Sequence, residues 1–194
     1  LSGLMDDFMN SDYQPLIQTS RFCPYTCAFC VSGKTRGKLR GFPIEQIEEE
    51  LRYVSKKYAD RPHHGMFLAD ENFGILHRDE EIAEYVMKKK ENSIFPSAVS
   101  LYTDKHPTDR VKRISRIMRD VLPFCISFQS TTPQVLKNIK RINLTNKAIE
   151  SATNFARAND LILVTELIFG MPGETIESFL DAINHLIDHR FSSI

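Results

Sequence analysis

Three of the four cysteines in this chain lie within eight residues. Cys23, Cys27 and Cys30 are separated by three and by two residues, in the stretch CPYTCAFC. Cysteine thiolates are preferred ligands of soft metals, among them zinc and the iron of iron–sulfur clusters. Because three is an odd number and close neighbours constrain little chain entropy, the spacing favours metal ligation over a disulfide framework.

The fourth cysteine bears on which metal site fits best. Zinc sites usually take four protein ligands, and Cys125 lies in the apolar stretch VLPFCISF, where we expect it to face a core. A chain that supplies three thiolates leaves one coordination position open. An iron–sulfur cluster with one exchangeable iron fits that description. A zinc or shared metal site, and free buried thiols, stay open as alternatives.

Apolar and amphipathic stretches alternate along the rest of the chain. The predicted strands are 15–20, 65–69, 94–101, 121–130 and 161–169. The predicted helices are 43–58, 79–90, 107–119, 133–139 with 146–158, and 175–189. This alternation is typical of right-handed βαβ units around a parallel sheet.

The length of the chain limits how much of a barrel it forms. Five βα units and the start of a sixth strand at 191–194 account for all 194 residues, whereas an eight-unit barrel takes about 250. The sequence therefore predicts the α/β class and a partial (β/α)6-type TIM barrel with parallel strands. We expect residues 1–194 to be one domain, cut from a longer chain near the sixth strand.

Composition and charge exclude several kinds of protein. The chain is 42% hydrophobic, with 25 basic and 25 acidic residues, which is typical of a globular domain and not of a disordered tail. Zero net charge does not indicate a nucleic-acid partner, and no apolar run approaches the ~20 residues of a membrane span. We see no secretory signal, and open thiolate sites suit a reducing compartment, so we expect a cytoplasmic protein with no membrane partner.

Polar residues and glycines gather where the predicted strands end. Ligands of parallel βα folds bind at the carboxyl ends of the strands. The segments at those ends are the cysteine loop, ADENFG, Ser100 to Tyr102, Gln129 with Ser130, and ELIFGMPGE. They predict a single site at one rim of the sheet.

The combined motifs resemble those of the radical S-adenosylmethionine (SAM) superfamily. The cysteine loop, ADENFG, SFQSTTPQVLKNIKR and ELIFGMPGET are similar to the family's first-, second-, fourth- and fifth-strand motifs, in the same order. The segment LSGLMDDF and the later PLIQTSRF resemble the subgroup whose members often carry an upstream cobalamin-binding domain. The resemblance covers nearly the whole chain. It implies that residues 1–194 are a radical SAM core domain, with any cobalamin domain outside them.

This resemblance implies an enzyme with a [4Fe–4S] cluster and SAM as cofactors. Cys23, Cys27 and Cys30 would ligate three irons, and SAM would chelate the fourth. Reductive cleavage of SAM would give a 5′-deoxyadenosyl radical that acts on a small-molecule or otherwise unknown substrate, with a reductase or flavodoxin-type protein as electron donor. Cobalamin-dependent methyl transfer is the expected reaction. Radical SAM methylthio transfer is the alternative, and a non-catalytic iron–sulfur or zinc module is the alternative from another class.

The resemblance also implies which residues bind SAM. Phe29 would lie against the adenine, and Arg141 would meet the carboxylate. The amino group would go to Glu71 or to Asp70, and the choice stays open because Ala69 and Asp70 stand where the family has two glycines. Simple loop packing, a solvated carboxylate and a surface charge are the alternative interpretations of Phe29, Glu71 and Arg141.

The remaining SAM contacts are expected along the later strands. Ribose contacts are expected from Gln129 and Ser130, and more weakly from Ser100. Glu166 would point to the rim, and Ile168 to Gly170 would offer apolar and backbone contacts to the adenine. No catalytic side chain is predicted beyond these cofactor ligands.

Overall fold

The computed structural model describes residues 2–9, 12–32, 37–91 and 93–194. Within them the helices are α1 (Asp6–Met9), α2 (Ile44–Lys57), α3 (Asp79–Glu91), α4 (Asp109–Ile117), α5 (Pro133–Asn138), α6 (Asn146–Ala158) and α7 (Ile176–Asp188). The strands are β1 (Leu16–Ile17), β2 (Ser20–Arg21), β3 (Arg40–Gly41), β4 (Met66–Phe73), β5 (Val99–Thr103), β6 (Phe124–Cys125) and β7 (Leu163–Val164). The expected alternation of strands and helices is confirmed.

The strands pair in parallel around β4. Strand β4 lies between β1 and β5, so that Phe67 pairs with Leu16 on one side and with Ser100 on the other. Strands β6 and β7 form a second parallel pair. A parallel bridge from Val164 to Ser193 adds the start of a sixth strand. The described strands do not close into a ring, and they form the partial parallel barrel that the sequence predicts.

Amphipathic helices cover the outer face of the strands. Helix α2 follows Pro43 and buries Ile47, Leu51 and Val54, at the spacing of one helical face. These side chains pack in one core with Leu68 of β4. Each fully buried aliphatic side chain contributes about 1.5–3 kcal/mol to folding.

A second core lies under α6. Ile149 and Ala152 of this helix pack in one cluster with Phe124, Ile126 and Phe128. The alternating burial of the three residues 124, 126 and 128 directs one face of this segment to α6. Its other face therefore points into the barrel.

Several predicted boundaries are wrong. The second strand continues to Phe73 and shifts register between Leu68 and Phe73, so most of ADENFG lies inside β4 and not after it. The third strand begins only at Val99. Regular pairing in the fourth and fifth strands is limited to two residues each. No helix among the described residues has the length and hydrophobicity to cross a bilayer.

Candidate functional site

The cysteine loop lies between β2 and β3, which pair antiparallel and hold its two ends together. Within the loop the Ala28 N–H donates to the Ile139 carbonyl over 2.9 Å, which ties the loop to the end of α5. Cys27 is buried, with 7% of its surface exposed, and Cys23 and Cys30 are half-buried. All three thiols are free.

Asp70 holds the segment that leads into this loop. Its carboxylate accepts hydrogen bonds from the backbone N–H and the hydroxyl of both Thr19 and Ser20, over 2.5–3.0 Å. Asp70 is only 1% exposed. Both of its oxygens are therefore already bonded, and they hold the chain at Ser20, three residues before Cys23.

Glu71, the next residue, is in the opposite situation. It lines a cavity of about 400 Å³ that all three loop cysteines also line. Its Oε2 atom is buried and has no hydrogen-bond partner in the part of the chain that the structure describes. A buried acceptor without a donor costs about 1–3 kcal/mol, so this oxygen is suited to a cationic donor brought by a ligand.

The cavity lies at the rim where the parallel strands end. Its walls come from the cysteine loop, β4, β5 and the segments after β6 and β7. The predicted site residues that line it are Cys23, Cys27, Phe29, Cys30, Asp70, Glu71, Gln129, Arg141 and Glu166. The structure thus brings together nine residues that the sequence places on one rim, with Phe29 37% exposed.

Four predicted residues do not line this cavity. Ser100 is exposed on β5, and Ile168 is 38% exposed. The Ser130 hydroxyl donates to Glu174 Oε1 over 3.2 Å, and the Gly170 N–H donates to Glu174 Oε2 over 3.1 Å. Ser130 and Gly170 therefore shape the turn after β7 through a shared carboxylate.

Arg141 is oriented along the cavity wall by three contacts. Its Nη1 lies 4.0 Å from the Cys27 Sγ atom, and its Nε donates to Asn143 Oδ1 over 3.0 Å. Its Nη2 donates to the Ser127 carbonyl. A guanidinium held in this way presents a fixed positive charge to an anionic group in the cavity.

Gln129 reaches the cavity through an unusual backbone conformation. Its φ is 68°, in the left-handed region that non-glycine residues rarely adopt. Its N–H donates to the Glu166 carbonyl and its carbonyl accepts from the Ile168 N–H, both over 2.8 Å. These bonds hold the strained residue at the rim, and the Glu166 carboxylate accepts from the Ser127 hydroxyl beside it over 3.1 Å.

The thiol of Cys23 has its own hydrogen-bond donors. The Asn72 Nδ2 atom lies 2.7 Å from Cys23 Sγ, and the Tyr25 backbone nitrogen lies 3.4 Å from it. Burial raises the pKa of the Cys23 thiol, and these two donors oppose the rise. Asn72 is itself buried, at 8% exposed.

Tyr25 also connects the cysteine loop to β5. Its hydroxyl donates to both oxygens of Asp104, over 2.9 and 3.0 Å, and Lys105 Nζ lies 4.1 Å from the centre of its ring. Burial and the neighbouring Asp104 carboxylate raise the pKa of Tyr25 well above its ordinary range.

Several residues of the cavity received no individual role from the sequence, although Asn72 and Tyr102 lie in segments that it placed at the rim. They are Tyr25, Ser32, Phe67, Asn72, Tyr102, Thr103, Lys105 and Ser127. The polar residues next to the cysteines and in ADENFG were a usable signal for Tyr25 and Asn72. For Ser127, the alternation with the apolar residues 126 and 128 was the signal.

Cys125 does not belong to the core that its apolar neighbours form, although the sequence led us to expect it there. Phe124 and Ile126 are buried against α6, so Cys125 between them lies on the opposite face, half-buried. Its Sγ atom lies 3.7 Å from the Ser127 hydroxyl, and burial raises its pKa. It does not line the cavity with the other three cysteines.

The donor set fits a cluster with several metal atoms. Within the described ranges, no group of three or more His, Cys, Asp or Glu side chains is placed to hold one metal ion. The ligands of a four-iron cluster bind different irons and need not converge on one point. Three cysteines on one cavity wall and an unpartnered Glu71 oxygen suit such a cluster with a small cationic ligand beside it.

A loop with three thiols at the rim of an open parallel βα barrel, facing a cavity, is the arrangement of a partial-barrel enzyme that binds a cofactor at its strand ends. Comparison with known families gives the same result. Residues 17–186 match the Radical SAM superfamily, and the chain belongs to this family. Membership confirms the expected class of cofactor-dependent enzyme, since the family uses a [4Fe–4S] cluster and SAM.

Two curated relatives show which kinds of radical SAM enzyme this chain is similar to. The chain is 33% identical over 180 residues to the cobalamin-dependent radical SAM methyltransferase TokK of Streptomyces tokunonensis, covering 91% of this chain and 26% of TokK. It is 30% identical over 199 residues to the ribosomal-protein methylthiotransferase RimO of a Nitratiruptor species, covering 95% of this chain and 43% of RimO. The chain thus spans less than half the length of either relative.

The fold also matches a solved methyltransferase. The structure of the radical SAM methyltransferase TsrM from Kitasatospora setae, with tryptophan substrate and a SAM analogue bound, superposes with a TM-score of 0.71 at 15% identity. The match covers 94% of this chain and 35% of TsrM. It shows that the two chains share the fold.

Proposed function

We propose that residues 1–194 are the catalytic core of an enzyme that cleaves SAM reductively and transfers a methyl group with the help of cobalamin. One observation carries the proposal: the buried, unpartnered Oε2 of Glu71 lies in a cavity that Cys23, Cys27 and Cys30 also line. The similarity to TokK supports the reaction type. The cobalamin would be held by a domain outside these residues.

The cavity walls carry the charges that an amino acid-like ligand requires. When bound to the three cysteines, the cluster supplies the electron that breaks a carbon–sulfur bond of SAM. Glu71 accepts hydrogen bonds from the amino group of SAM, and Arg141 neutralises its carboxylate. We assign the amino group to Glu71 because both Asp70 oxygens are already bonded to Thr19 and Ser20.

The nucleoside part of SAM meets the other side of the cavity. Phe29 offers an aromatic face to the adenine, and Gln129 offers an amide to the ribose hydroxyls. Glu166 closes the rim beside Gln129. The contacts proposed for Ser100, Ile168 and Gly170 require SAM to extend beyond this cavity. Ser130 supports the turn after β7 through Glu174, and we propose no SAM contact for its buried hydroxyl.

The rest of the reaction involves molecules outside this chain. We propose a small-molecule substrate, a flavodoxin-type or reductase electron donor and a cytoplasmic location. A reducing compartment keeps the three thiolates available for iron.

The decisive experiment uses the full-length protein, reconstituted anaerobically with iron and sulfide, reduced, and mixed with SAM and cobalamin. We expect 5′-deoxyadenosine and S-adenosylhomocysteine among the products. Cys27→Ala should lose the iron and both products, while the matched control Cys125→Ala should keep them. A cluster-loaded protein that yields neither product would overturn the proposal.

Methylthio transfer is the second candidate, and the similarity to RimO supports it. Repeating the experiment without cobalamin separates the two candidates. Methylthio transfer does not need cobalamin, so S-adenosylhomocysteine formed equally without it would favour this second candidate. A third outcome, in which Cys125→Ala loses the cluster and the wild type does not bind SAM, would favour a non-catalytic iron–sulfur or zinc module.

A further inference from the structure

The three loop cysteines differ in the hydrogen bonds that their sulfur atoms receive. Cys23 Sγ has two nitrogen donors, from Asn72 and from the Tyr25 backbone. The guanidinium nearest to Cys27 Sγ is 4.0 Å away. In the described part of the chain, no hydrogen bond to Cys30 Sγ is formed. One corner of the bound cluster would therefore meet a different electrostatic environment from the others.

The Asn72 amide is buried and in direct contact with the Cys23 sulfur. Its Nδ2 atom lies 2.7 Å from Cys23 Sγ. Asn72 is buried near the end of β4, where the next residue, Phe73, pairs with Thr103 and accepts a hydrogen bond from the Asp104 N–H over 3.1 Å. These contacts tie the backbone at Phe73 to β5 and so fix the point from which the Asn72 side chain reaches Cys23.

A donor at this sulfur changes the energetics of electron uptake. Hydrogen bonds to cluster sulfurs withdraw electron density and stabilise the more negative, reduced state. The effect is larger in a partly buried site, where water does not screen it. Asn72 is only 8% exposed, so water has little access to its amide.

We propose that Asn72 is a positioning residue that raises the reduction potential of the cluster through its hydrogen bond to Cys23. The inference rests on the proposed function, because it requires a cluster bound to Cys23. It assigns to the third polar residue of ADENFG a task separate from those of its neighbours. Asp70 anchors the loop, Glu71 faces the cavity, and Asn72 adjusts the cluster.

The test is a redox titration of the full-length holoenzyme, followed by electron paramagnetic resonance of the reduced cluster. Asn72→Leu keeps the size of the side chain and removes the donor. At the wild-type midpoint potential, we expect its ratio of reduced to oxidised cluster to fall about tenfold, which is 59 mV for a one-electron couple. Asn72→Gln keeps an amide and should recover at least part of the loss.

The matched control is Asn159→Leu, which removes an amide that caps α6 at the Phe155 carbonyl, in a helix remote from the loop. It should titrate as the wild type does. If Asn72→Leu takes up no cluster, Asn72→Ser and Asn72→Ala make the same comparison of a donor with no donor.

The outcomes separate this inference from the proposed function. Wild-type protein that takes up no cluster would contradict the proposed function. Cluster-loaded Asn72→Leu and wild type with equal midpoint potentials would overturn the role of Asn72 alone. Normal iron content together with a lowered potential would support it, because a merely structural residue would change cluster content and leave the potential unchanged.

Discussion

The two halves of the rim are built in different ways. In the first half, the cysteine loop and β4 carry six predicted site residues into the cavity: Cys23, Cys27, Phe29, Cys30, Asp70 and Glu71. In the second half, Gln129, Arg141 and Glu166 line the cavity, while Ser130, Ile168 and Gly170 do not. The first half is carried by a strand that pairs with both neighbours at Phe67 and Leu68, just before its site residues, and the second half by hydrogen bonds of individual residues.

This difference shows what determines where a polar side chain points. Strand β4 pairs with β1 and β5 at Phe67 and Leu68 and again with β5 at Phe73, so its backbone is held just before and just after Asp70 and Glu71. Strands β6 and β7 pair over only two residues, and the backbone after β6 passes through the left-handed conformation of Gln129. The side chains of β6 alternate between two faces, but this alternation cannot be extended to predict the direction of the residues that follow the strand.

The largest expected effect on stability separates the adjacent carboxylates Asp70 and Glu71. Asp70→Ala leaves the buried N–H and hydroxyl groups of Thr19 and Ser20 without an acceptor, so we expect it to lower the free energy of unfolding by about 3–5 kcal/mol. Glu71→Ala removes a buried oxygen that has no partner among the described residues, so it relieves a desolvation cost and should not lower that free energy. Denaturant unfolding of the apoprotein measures both, and equal losses would contradict the contrast.

The next effect concerns ligand binding in the first half. Glu71→Gln keeps the shape of the side chain and removes its charge. A hydrogen bond to a charged group is worth about 1.5–3 kcal/mol, so the affinity for SAM should fall roughly ten- to a hundredfold. Isothermal titration of the cluster-loaded protein gives the number. The control Glu177→Gln, on exposed α7, should bind as the wild type does, and an unchanged affinity in Glu71→Gln would contradict the assignment.

A smaller effect is expected in the second half. Ser130→Ala removes a fully buried hydroxyl that donates to Glu174, so it should lower the free energy of unfolding by about 1 kcal/mol and leave SAM affinity unchanged. Gln129→Ala should do the reverse and weaken SAM binding several-fold. If Ser130→Ala weakened binding more than Gln129→Ala, the division between cavity wall and supporting turn would be wrong.

The smallest effect on SAM binding is expected from Asp79, which lies at the start of α3. Its carboxyl affects how stability depends on pH. Burial raises the pKa of Asp79 to about 6, although the N–H groups of Gly74 and Leu76 bind its carboxylate. The folded protein therefore holds the Asp79 proton more tightly than the unfolded chain does. The resulting contribution to stability is fully present below about pH 4 and is lost as the pH rises through about 6.

Asp79→Asn should flatten this pH dependence and leave SAM binding unchanged. Thermal unfolding of wild type and variant between pH 4 and pH 7 measures it. A variant whose stability falls with rising pH as steeply as that of the wild type would show that another group is responsible.

The sequence predicted the fold well and the exact strand boundaries poorly. Periodic apolar residues such as Ile47, Leu51 and Val54 predicted α2 because its buried face repeats along the helix. The end of β4 was missed because ADENF is polar, and polar residues in a strand are stable only where partners such as Thr19 and Ser20 receive them. Those partners are about fifty residues away and cannot be read from local sequence.

The same distinction applies to the site. The cysteine spacing predicted that three thiols meet at one site, and the structure places all three on one cavity because they lie in one loop. The choice between Asp70 and Glu71, and the role of Asn72, depend on the register shift inside β4, which no local pattern reveals. Ser130 has a hydroxyl that could contact a ribose, but in the folded chain this hydroxyl donates to Glu174, which is 44 residues away in the sequence.

The most direct test is electron–nuclear double resonance on the reduced, full-length protein with SAM labelled with nitrogen-15 at its amino group. If this chain supplies three cysteines and leaves one iron for SAM, the nitrogen will couple to the cluster spin in the wild type. The coupling will persist in Cys125→Ala and weaken in Glu71→Gln. A reduced cluster that shows no nitrogen coupling at saturating SAM would contradict the account.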